Sequence, residues 1–471
     1  MTTLSGSDTI IIWVYLIGIF ILGIWAAKKT KSFSDYMHGG GTAGMLLLTG
    51  TIIATLWGGV TFIGLTGFSY QVLYRGVWYA FSAIGFFLVW AFFLSVPIRK
   101  IQPYSISEWM GIRFDKKTGL LTSLYNLIVY VGFLGSQFVA FGVIASTFMG
   151  WSMEFSIIFG TILVGVYTIA GGFFAVAITD LVQFGLSLLG GLVVLIACVI
   201  KVGTFEVVRA SEVLPPEYWN PNTSDFGFVF MITMFFLWLG AHPQQHVTQR
   251  ISSARSVKIA YWSAAIGSLG YVFVAYVVPS IGIYARILIP GLKDPQTAYP
   301  TLAITILPGW AAALVCAALM AVVMSSADSY LLAPASVLTN DIVRYFKPNM
   351  LDKNLLAWSR WSTVFYAVVA CIAALAFRQV IALILSFLTV AWTMLPALYA
   401  STTWKKCSPN AAFWSMVIGG VINGYLILNV PSWFSAGIYT GWVGFIAGIV
   451  VLVVLSYTSP HKEQGDGLLN S

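Results

Sequence analysis

The sequence predicts an all-α polytopic membrane protein of thirteen transmembrane helices, and three observations carry that expectation. Of 471 residues, 59% are hydrophobic and 8% are charged, against about 25% charged in an average soluble domain. The mean hydropathy is +0.88. Unbroken apolar runs of about twenty residues recur along the chain, the length that crosses a bilayer as a helix. This composition excludes a soluble enzyme, a nucleic-acid binder, a disordered chain and a secreted disulfide scaffold. The runs also exclude an outer-membrane barrel, whose strands alternate polar and apolar residues.

The first nine residues hold no Lys or Arg, 10–27 is apolar, and Lys28, Lys29 and Lys31 follow. That order is the reverse of a signal peptide and predicts an uncleaved first span with the N-terminus outside. Further apolar runs follow at 44–70, 77–98, 118–149, 155–171, 177–200, 225–241, 259–285, 302–338, 358–377, 379–402, 411–429 and 434–457. With the N-terminus outside, the inside segments hold 18 of the 24 basic residues, Arg250 among them, and the outside segments hold 6. This threefold bias is the positive-inside pattern. It makes the net charge of +8 a signal of orientation rather than of an anionic partner, and it puts the C-terminus in the cytoplasm.

The longest outside loop, 202–224, and the polar tail after Pro460 are too short for a soluble domain. The expectation is one membrane domain over 1–471. Cys198, Cys316, Cys371 and Cys407 are scattered and read as core-filling thiols. No Gly-x4-Gly-Lys-Ser/Thr loop is present, so no nucleotide is implied.

Charge inside a membrane is costly and marks function. Two acids fall outside the loops: Asp180, opening the sixth span, and Asp328, deep in the ninth. Asp180 also suits a helix cap, and a structural hydrogen bond at Asp328 stays open. On a helix Ser325, Asp328 and Ser329 share a face, with Ser326 beside them. Hydroxyls and a carboxylate are hard oxygen ligands, suited to a hard cation. In the second span, Gly58 and Gly59 within Ala54-Thr55-Leu56-Trp57-Gly58-Gly59-Val60-Thr61 invite a helix break. Carbonyls freed there can coordinate sodium. A third element, Gly171-Gly172-Phe173-Phe174-Ala175-Val176-Ala177-Ile178-Thr179-Asp180-Leu181-Val182-Gln183, joins the fifth and sixth spans.

That third element resembles the signature of the sodium/solute symporter family, as does Met-Ser-Ser-Ala-Asp-Ser at 324–329 followed by Leu331, Leu332 and Asn340-Asp341. The likeness covers nearly the whole chain. It implies the leucine-transporter-like fold, an inverted repeat of five plus five helices within 44–402. A peripheral helix at 8–27 would precede the repeat, and two more within 411–457 would follow. It further implies a sodium site made of the Ala54 and Trp57 carbonyls, the Val322 carbonyl, and the hydroxyls of Ser325 and Ser326. A second cation site would use Asp180, Ser325, Asp328 and Ser329, with Asp328 standing where some members have a hydroxyl. Ala54-Thr55 with Gly58-Gly59, and Gln249-Arg250 with Ser252-Ser253, are locally similar to choline-transporter-like members. Gln244, however, stands where a cage tryptophan would be placed, which argues against choline itself.

The solute pathway is expected along the second, fourth, seventh and eleventh spans: Trp57, Gly58, Gly59, Thr61, Gln137, Trp238, His242, Gln245 and Trp392. Pro243 between His242 and His246 speaks against a metal pair, so sodium is the metal ion expected. The resulting expectation is a sodium-driven symporter, not an enzyme, in the cell membrane. It would import a small organic solute, whether amino acid, choline-like cation or carboxylate, by alternating access. Two alternatives stay open at this point: a proton-coupled symporter using Asp328, and a transporter-like membrane sensor.

Overall fold

Backbone polar groups cannot stay unpaired in lipid, so a chain this apolar satisfies them within helices. The computed structural model describes residues 3–28, 30, 32–204, 206, 227–429 and 441–459. Among these residues there is no strand, only one isolated bridge between Ala43 and Ala254. Nine helices of the described residues are long and apolar enough to cross a membrane, or ten with the bent pair Val380–Trp392 and Leu395–Thr403. Lys29, Lys31, most of the 202–224 loop, the start of the 434–457 run and the tail after Pro460 lie outside the described residues.

Helix α1 (Gly6–Ala27) and the short α2 (Phe33–His38) precede α3 (Met45–Leu56). Ser32 and Asp35 form a capping box at the start of α2, satisfying amides that the first turn leaves free. Helix α3 stops at Trp57, whose φ of −83° and ψ of 58° leave the helical region. The chain resumes as a π-turn, Val60–Gly64, and α4 (Leu65–Val72). Helices α5 (Val77–Val89) and α6 (Ser95–Ile101), the short α7 (Ile106–Arg113), and α8 (Lys116–Met149) follow.

Helix α9 (Met153–Val202) has 50 residues, about 75 Å of helix against roughly 30 Å of hydrocarbon. It is interrupted at Gly172, with φ 57° and ψ −154°. Glycine alone suits this conformation, and a Cβ there would lie 2.6 Å from the Tyr36 ring.

The seventh apolar run differs from the simple span expected of it. It consists of α10 (Gly227–Phe236) and a 3₁₀ turn at Leu237–Ala241, and beyond its end a break at His242–Gln244 leads to α11 (Gln245–Ser253). Pro243 lacks the amide that would continue the helix. All nine residues of α11 are buried although most are polar.

Helix α12 (Val257–Leu288) leads to the short α13 (Ala298–Ile306) and then α14 (Gly309–Ser336). The expected 302–338 run therefore divides at Leu307–Pro308, where Leu307 is extended, as the residue before a proline tends to be. The helix α15 (Asp352–Phe377) precedes α16 (Val380–Trp392) and α17 (Leu395–Thr403), which meet at 47°. Pro396 sits in the first turn of α17. The last two helices are α18 (Pro409–Asn429) and α19 (Gly441–Thr458).

Burial separates two kinds of helix. Every residue of α14 from Val315 to Ser336 is buried, enclosed by α1, α8, α9 and α15. The outer helices turn large apolar side chains outward, among them Ile17, Ile21, Trp361, Ile372, Val421 and Leu428. Such a belt suits hydrocarbon and would be a liability in water.

Candidate functional site

The break after α3 lies directly against α14. Ser325 Oγ donates a hydrogen bond to the Ala54 carbonyl and lies 3.0 Å from both that oxygen and the Val322 carbonyl. Ser326 Oγ lies 2.7 Å from the Thr55 carbonyl and 3.5 Å from that of Val322. Four of the five residues expected around sodium, Ala54, Val322, Ser325 and Ser326, are thus joined by oxygen contacts. The carbonyl that Ser326 touches belongs to Thr55, outside the expected five. The Trp57 ring turns away, packing on Phe273 at 5.2 Å and on Phe184 at 5.2 Å.

The broken turn is held by side chains from three other segments. Gln137 Oε1 accepts from the Gly59 amide at 2.7 Å. Thr61 Oγ1 donates to the Leu56 carbonyl at 3.1 Å, and the Tyr271 hydroxyl donates to the same oxygen. Tyr330 donates to the Thr55 carbonyl at 3.3 Å. Gly58 and Gly59 permit this approach. A Cβ on Gly58 would lie 2.5 Å from Ser326 Oγ, and one on Gly59 would overlap the Ala140 methyl. Trp57, Gly58, Gly59, Thr61 and Gln137 therefore gather at one place, with Tyr271 and Tyr330 added by the fold. A cavity of about 280 Å³ runs from Val60 and Tyr79 past Gln71 to Asp294 and Gln296.

The remaining pathway candidates stand apart from the break. Trp238 packs edge-on to Tyr79 at 5.6 Å, and Tyr271 links it to the site at 6.5 Å. Trp392 lies over Gly240 and packs on Trp442 at 4.9 Å. His242 is engaged at both ring nitrogens: Nδ1 meets the Leu239 carbonyl and the Tyr399 hydroxyl, and Nε2 meets the Phe86 carbonyl.

Gln245 is likewise fully engaged. Its Oε1 accepts from the Ile106 amide at 2.8 Å, and its Nε2 donates to the Tyr104 carbonyl at 2.6 Å and to Ser336 at 3.0 Å. It clasps α11 to the start of α7 and to the end of α14. Beside it, burial pushes the Glu108 carboxyl above its ordinary range, the Tyr104 amide opposing. Gln245→Leu is expected to loosen this clasp. A cysteine placed at Ser107 should then react with a water-soluble maleimide several-fold faster, and an unchanged rate would return Gln245 to a passive packing role.

The second cation group is arranged differently from the expected cluster. Arg250, counted in sequence as a loop charge, is 2% exposed and pairs with the fully buried Asp180 at 3.0 Å. Its Nη2 also reaches Ser329 Oγ, its Nε reaches the Thr51 carbonyl and hydroxyl, and its Nη1 reaches the His246 carbonyl. Thr51 donates to Asp180 as well. A guanidinium therefore stands between Asp180 and Ser329, where the family resemblance implies an ion. Asp180 is a strut of the core rather than a simple helix cap. Asp328 accepts from Tyr167 at 3.0 Å and from Ser329 at 3.3 Å, with no direct bond to Arg250 among the described residues.

A discontinuous buried helix, an oxygen cluster on its neighbour and two buried acids are features that transporters share. The model of the sodium:solute symporter family matches residues 36–419. The chain belongs to that family. It is 25% identical to the osmoregulated proline transporter OpuE of Bacillus subtilis, over 96% of this chain and 94% of the relative. It is also 25% identical to the sodium/pantothenate symporter of Escherichia coli, over 88% of this chain and 90% of the relative. Among solved structures, a Na+-coupled sialic acid symporter in a substrate-bound outward-open state superposes with a TM-score of 0.82 at 19% identity, covering 97% of this chain and 99% of that one. That likeness establishes the leucine-transporter-like fold. The protein is a multi-pass membrane transporter of the symporter class, and family membership supports sodium as the coupling ion and a small solute as cargo.

Proposed function

We propose that this family member imports a small organic solute together with sodium by alternating access, without enzymatic chemistry. The observation that carries the reading is the oxygen set joining the two broken or buried partners, α3 and α14: the Ala54, Thr55 and Val322 carbonyls with the Ser325 and Ser326 hydroxyls. These are hard, neutral ligands that suit a sodium ion. Helix α3 is interrupted where its carbonyls are needed, and a bound ion would fix the break to α14. The Trp57 carbonyl completes the set in this reading.

The topology proposed is thirteen spans, the N-terminus outside and the C-terminus in the cytoplasm. Spans two to six and seven to eleven form the inverted repeat, with 8–27 and 411–457 peripheral. The breaks after Leu56 and at His242–Gln244 support this arrangement, because they lie in the second and seventh spans, the first helix of each repeat. The cavity between Val60 and Asp294 then opens outward, and the Gln245 clasp closes the cytoplasmic side. Solute would enter through that cavity and settle against Gly58, Gly59, Gln137, Tyr271 and Tyr330, with Trp238 beyond. Sodium entering down its gradient supplies the drive, at about 2.3 kcal/mol per charge for each 100 mV.

The relatives make proline and pantothenate the first solutes to test. Choline is the third, because Trp57 spends its ring on Phe273 and Phe184 instead of lining a cage. Purified protein in liposomes should accumulate one of these only under an inward sodium gradient. Uptake driven by a proton gradient and indifferent to sodium would overturn the sodium reading. In the same assay Ser326→Ala is expected to raise the half-saturating sodium concentration roughly 10–100-fold, the range seen when a supporting ligand is lost. Wild-type sodium dependence in that variant would remove Ser326 from the site.

A further inference from the structure

A cavity of about 720 Å³ lies between α7, α8 and the π-turn Val337–Val343 that continues α14. Its size falls within the roughly 300–1,000 Å³ of small-molecule sites. Lys116 and Arg344 on its lining belong to the segments that the basic bias assigns to the cytoplasm. No residue of the proposed sodium site or solute path lines it, whereas the Asn340-Asp341 pair of the sequence motif does.

Charge is sorted by depth in this cavity. Asn340 is buried, and its Nδ2 donates to Asp341 Oδ1 at 2.8 Å and to Glu108 Oε2 at 3.4 Å. Glu108 and Asp341 are half-buried, while Lys116 and Arg344 are exposed. Arg344 Nη1 donates to the other end of the same amide, Asn340 Oδ1, at 3.3 Å. Among the described residues none of these four charged groups forms an ion pair, although two are acids and two are bases. Two carboxylates tied to one amide repel each other, and a cation between them relieves both. Ser107 is an independent sign of a ligand. Its side chain lines the cavity, is 1% exposed, and its hydroxyl has no hydrogen-bond partner. A buried hydroxyl left unpaired marks a place where a polar group is missing.

We propose that this cavity binds a zwitterionic amino acid from the cytoplasm, its amine inward and its carboxylate outward. The protonated amine donates to Glu108 and Asp341, with the Ser107 hydroxyl beside them. The carboxylate meets Lys116 and Arg344. A lining of two acids and two bases is complementary to a dipolar ligand of zero net charge rather than to a bare anion or cation. A metal ion fits less well, since no group of three or more His, Cys, Asp or Glu gathers there among the described residues. The site is separate from the sodium and solute positions, and only its effect on closure rests on the reading above. Its ligand spans α7 and the segment continuing α14, and Gln245 clasps α7 to the end of that same helix. Occupancy therefore favours the closed cytoplasmic side, so an amino acid accumulated inside restrains further import.

Equilibrium binding of radiolabelled glycine and L-proline to the purified chain in nanodiscs, in sodium-free buffer, tests the inference. One saturable site per chain is expected, with unlabelled pantothenate, a carboxylate without an amine, failing to compete. Glu108→Gln is expected to weaken binding roughly tenfold, as loss of a charged hydrogen-bond acceptor does. Arg344→Gln should weaken it a few-fold, the scale of an exposed charge pair. Because Arg344 is exposed, that variant keeps the test open if Glu108→Gln folds poorly. Gln245→Leu leaves the lining intact and is expected to weaken binding several-fold through the loosened clasp, by linkage. Absence of sodium-independent binding of both amino acids would overturn the proposal. So would competition by pantothenate equal to that by glycine, or an affinity unchanged in both Glu108→Gln and Arg344→Gln. An affinity unchanged in Gln245→Leu would overturn the effect on closure. Sodium-driven uptake in liposomes is a separate measurement, and it fails only with the symporter reading itself.

Discussion

Replacing Arg250 by methionine is expected to be the most damaging single change in the core, lowering stability by about 3–5 kcal/mol. The guanidinium joins four elements: Thr51 on α3, Asp180 on α9, the His246 carbonyl on its own α11, and Ser329 on α14. Methionine fills much of the same volume but leaves the Asp180 carboxylate buried without its cation. The cost is mostly that stranded charge. Arg250→Met combined with Asp180→Asn should therefore recover a large part of the lost thermal stability in detergent. Lysine is expected to rescue poorly, because one ammonium cannot reproduce a planar fork addressing Thr51, His246, Asp180 and Ser329 together. A single variant that melts with the wild type, or a double variant that melts no higher than the single, would show that the pair carries little of the fold.

Gly58→Ala is expected to lower sodium-dependent uptake by more than about tenfold while costing only about 1–3 kcal/mol of stability, the usual range for overpacking. The added methyl would meet Ser326 Oγ at 2.5 Å and Gln137 Oε1 at 2.9 Å. Both atoms hold the break: Ser326 through the Thr55 carbonyl and Gln137 through the Gly59 amide. The neighbours have little room to yield, since Ser326 lies in the fully buried stretch of α14 and Gln137 in the core of α8. A substitution this small thus acts on the proposed ion site and on the turn at once. Gly85, where a Cβ meets nothing within 4 Å, is the matched control. Uptake in Gly58→Ala equal to that in Gly85→Ala would mean that the break does not depend on close approach.

Much of the site was legible because its chemistry is local. The paired glycines after Trp57 announce a break by removing side chains where the helix must open. Ser325, Ser326 and Asp328 share a stretch of one apolar helix, where polar groups are costly enough to need a purpose. Gly172 was readable as a turn for the same local reason. What escaped was set by partners far apart in sequence. Arg250 sits in a polar stretch that hydropathy assigns to a loop, yet α11 is buried throughout because it packs among α2, α3, α6 and α14. Tyr271 and Tyr330 look like ordinary aromatic filling until their hydroxyls meet the Leu56 and Thr55 carbonyls. His242 and Gln245 are expected along the pathway as polar groups at a span end. Their hydrogen bonds to Phe86, Tyr399, Tyr104 and Ser336 were not visible in one dimension.

By itself the sequence determined the membrane class and its helical character, since hydropathy and run length follow from composition and need no partner. It also determined the broken second span and the oxygen-bearing face of α14, which depend on neighbours three or four residues apart. Only the tertiary structure decided that the chain breaks again at His242–Gln244, that Asp180 answers to Arg250, and that Asp328 accepts from Tyr167 instead. Those outcomes depend on which of several buried polar groups find each other. In a medium without water each must find a partner, and the packing of four distant helices selects which one.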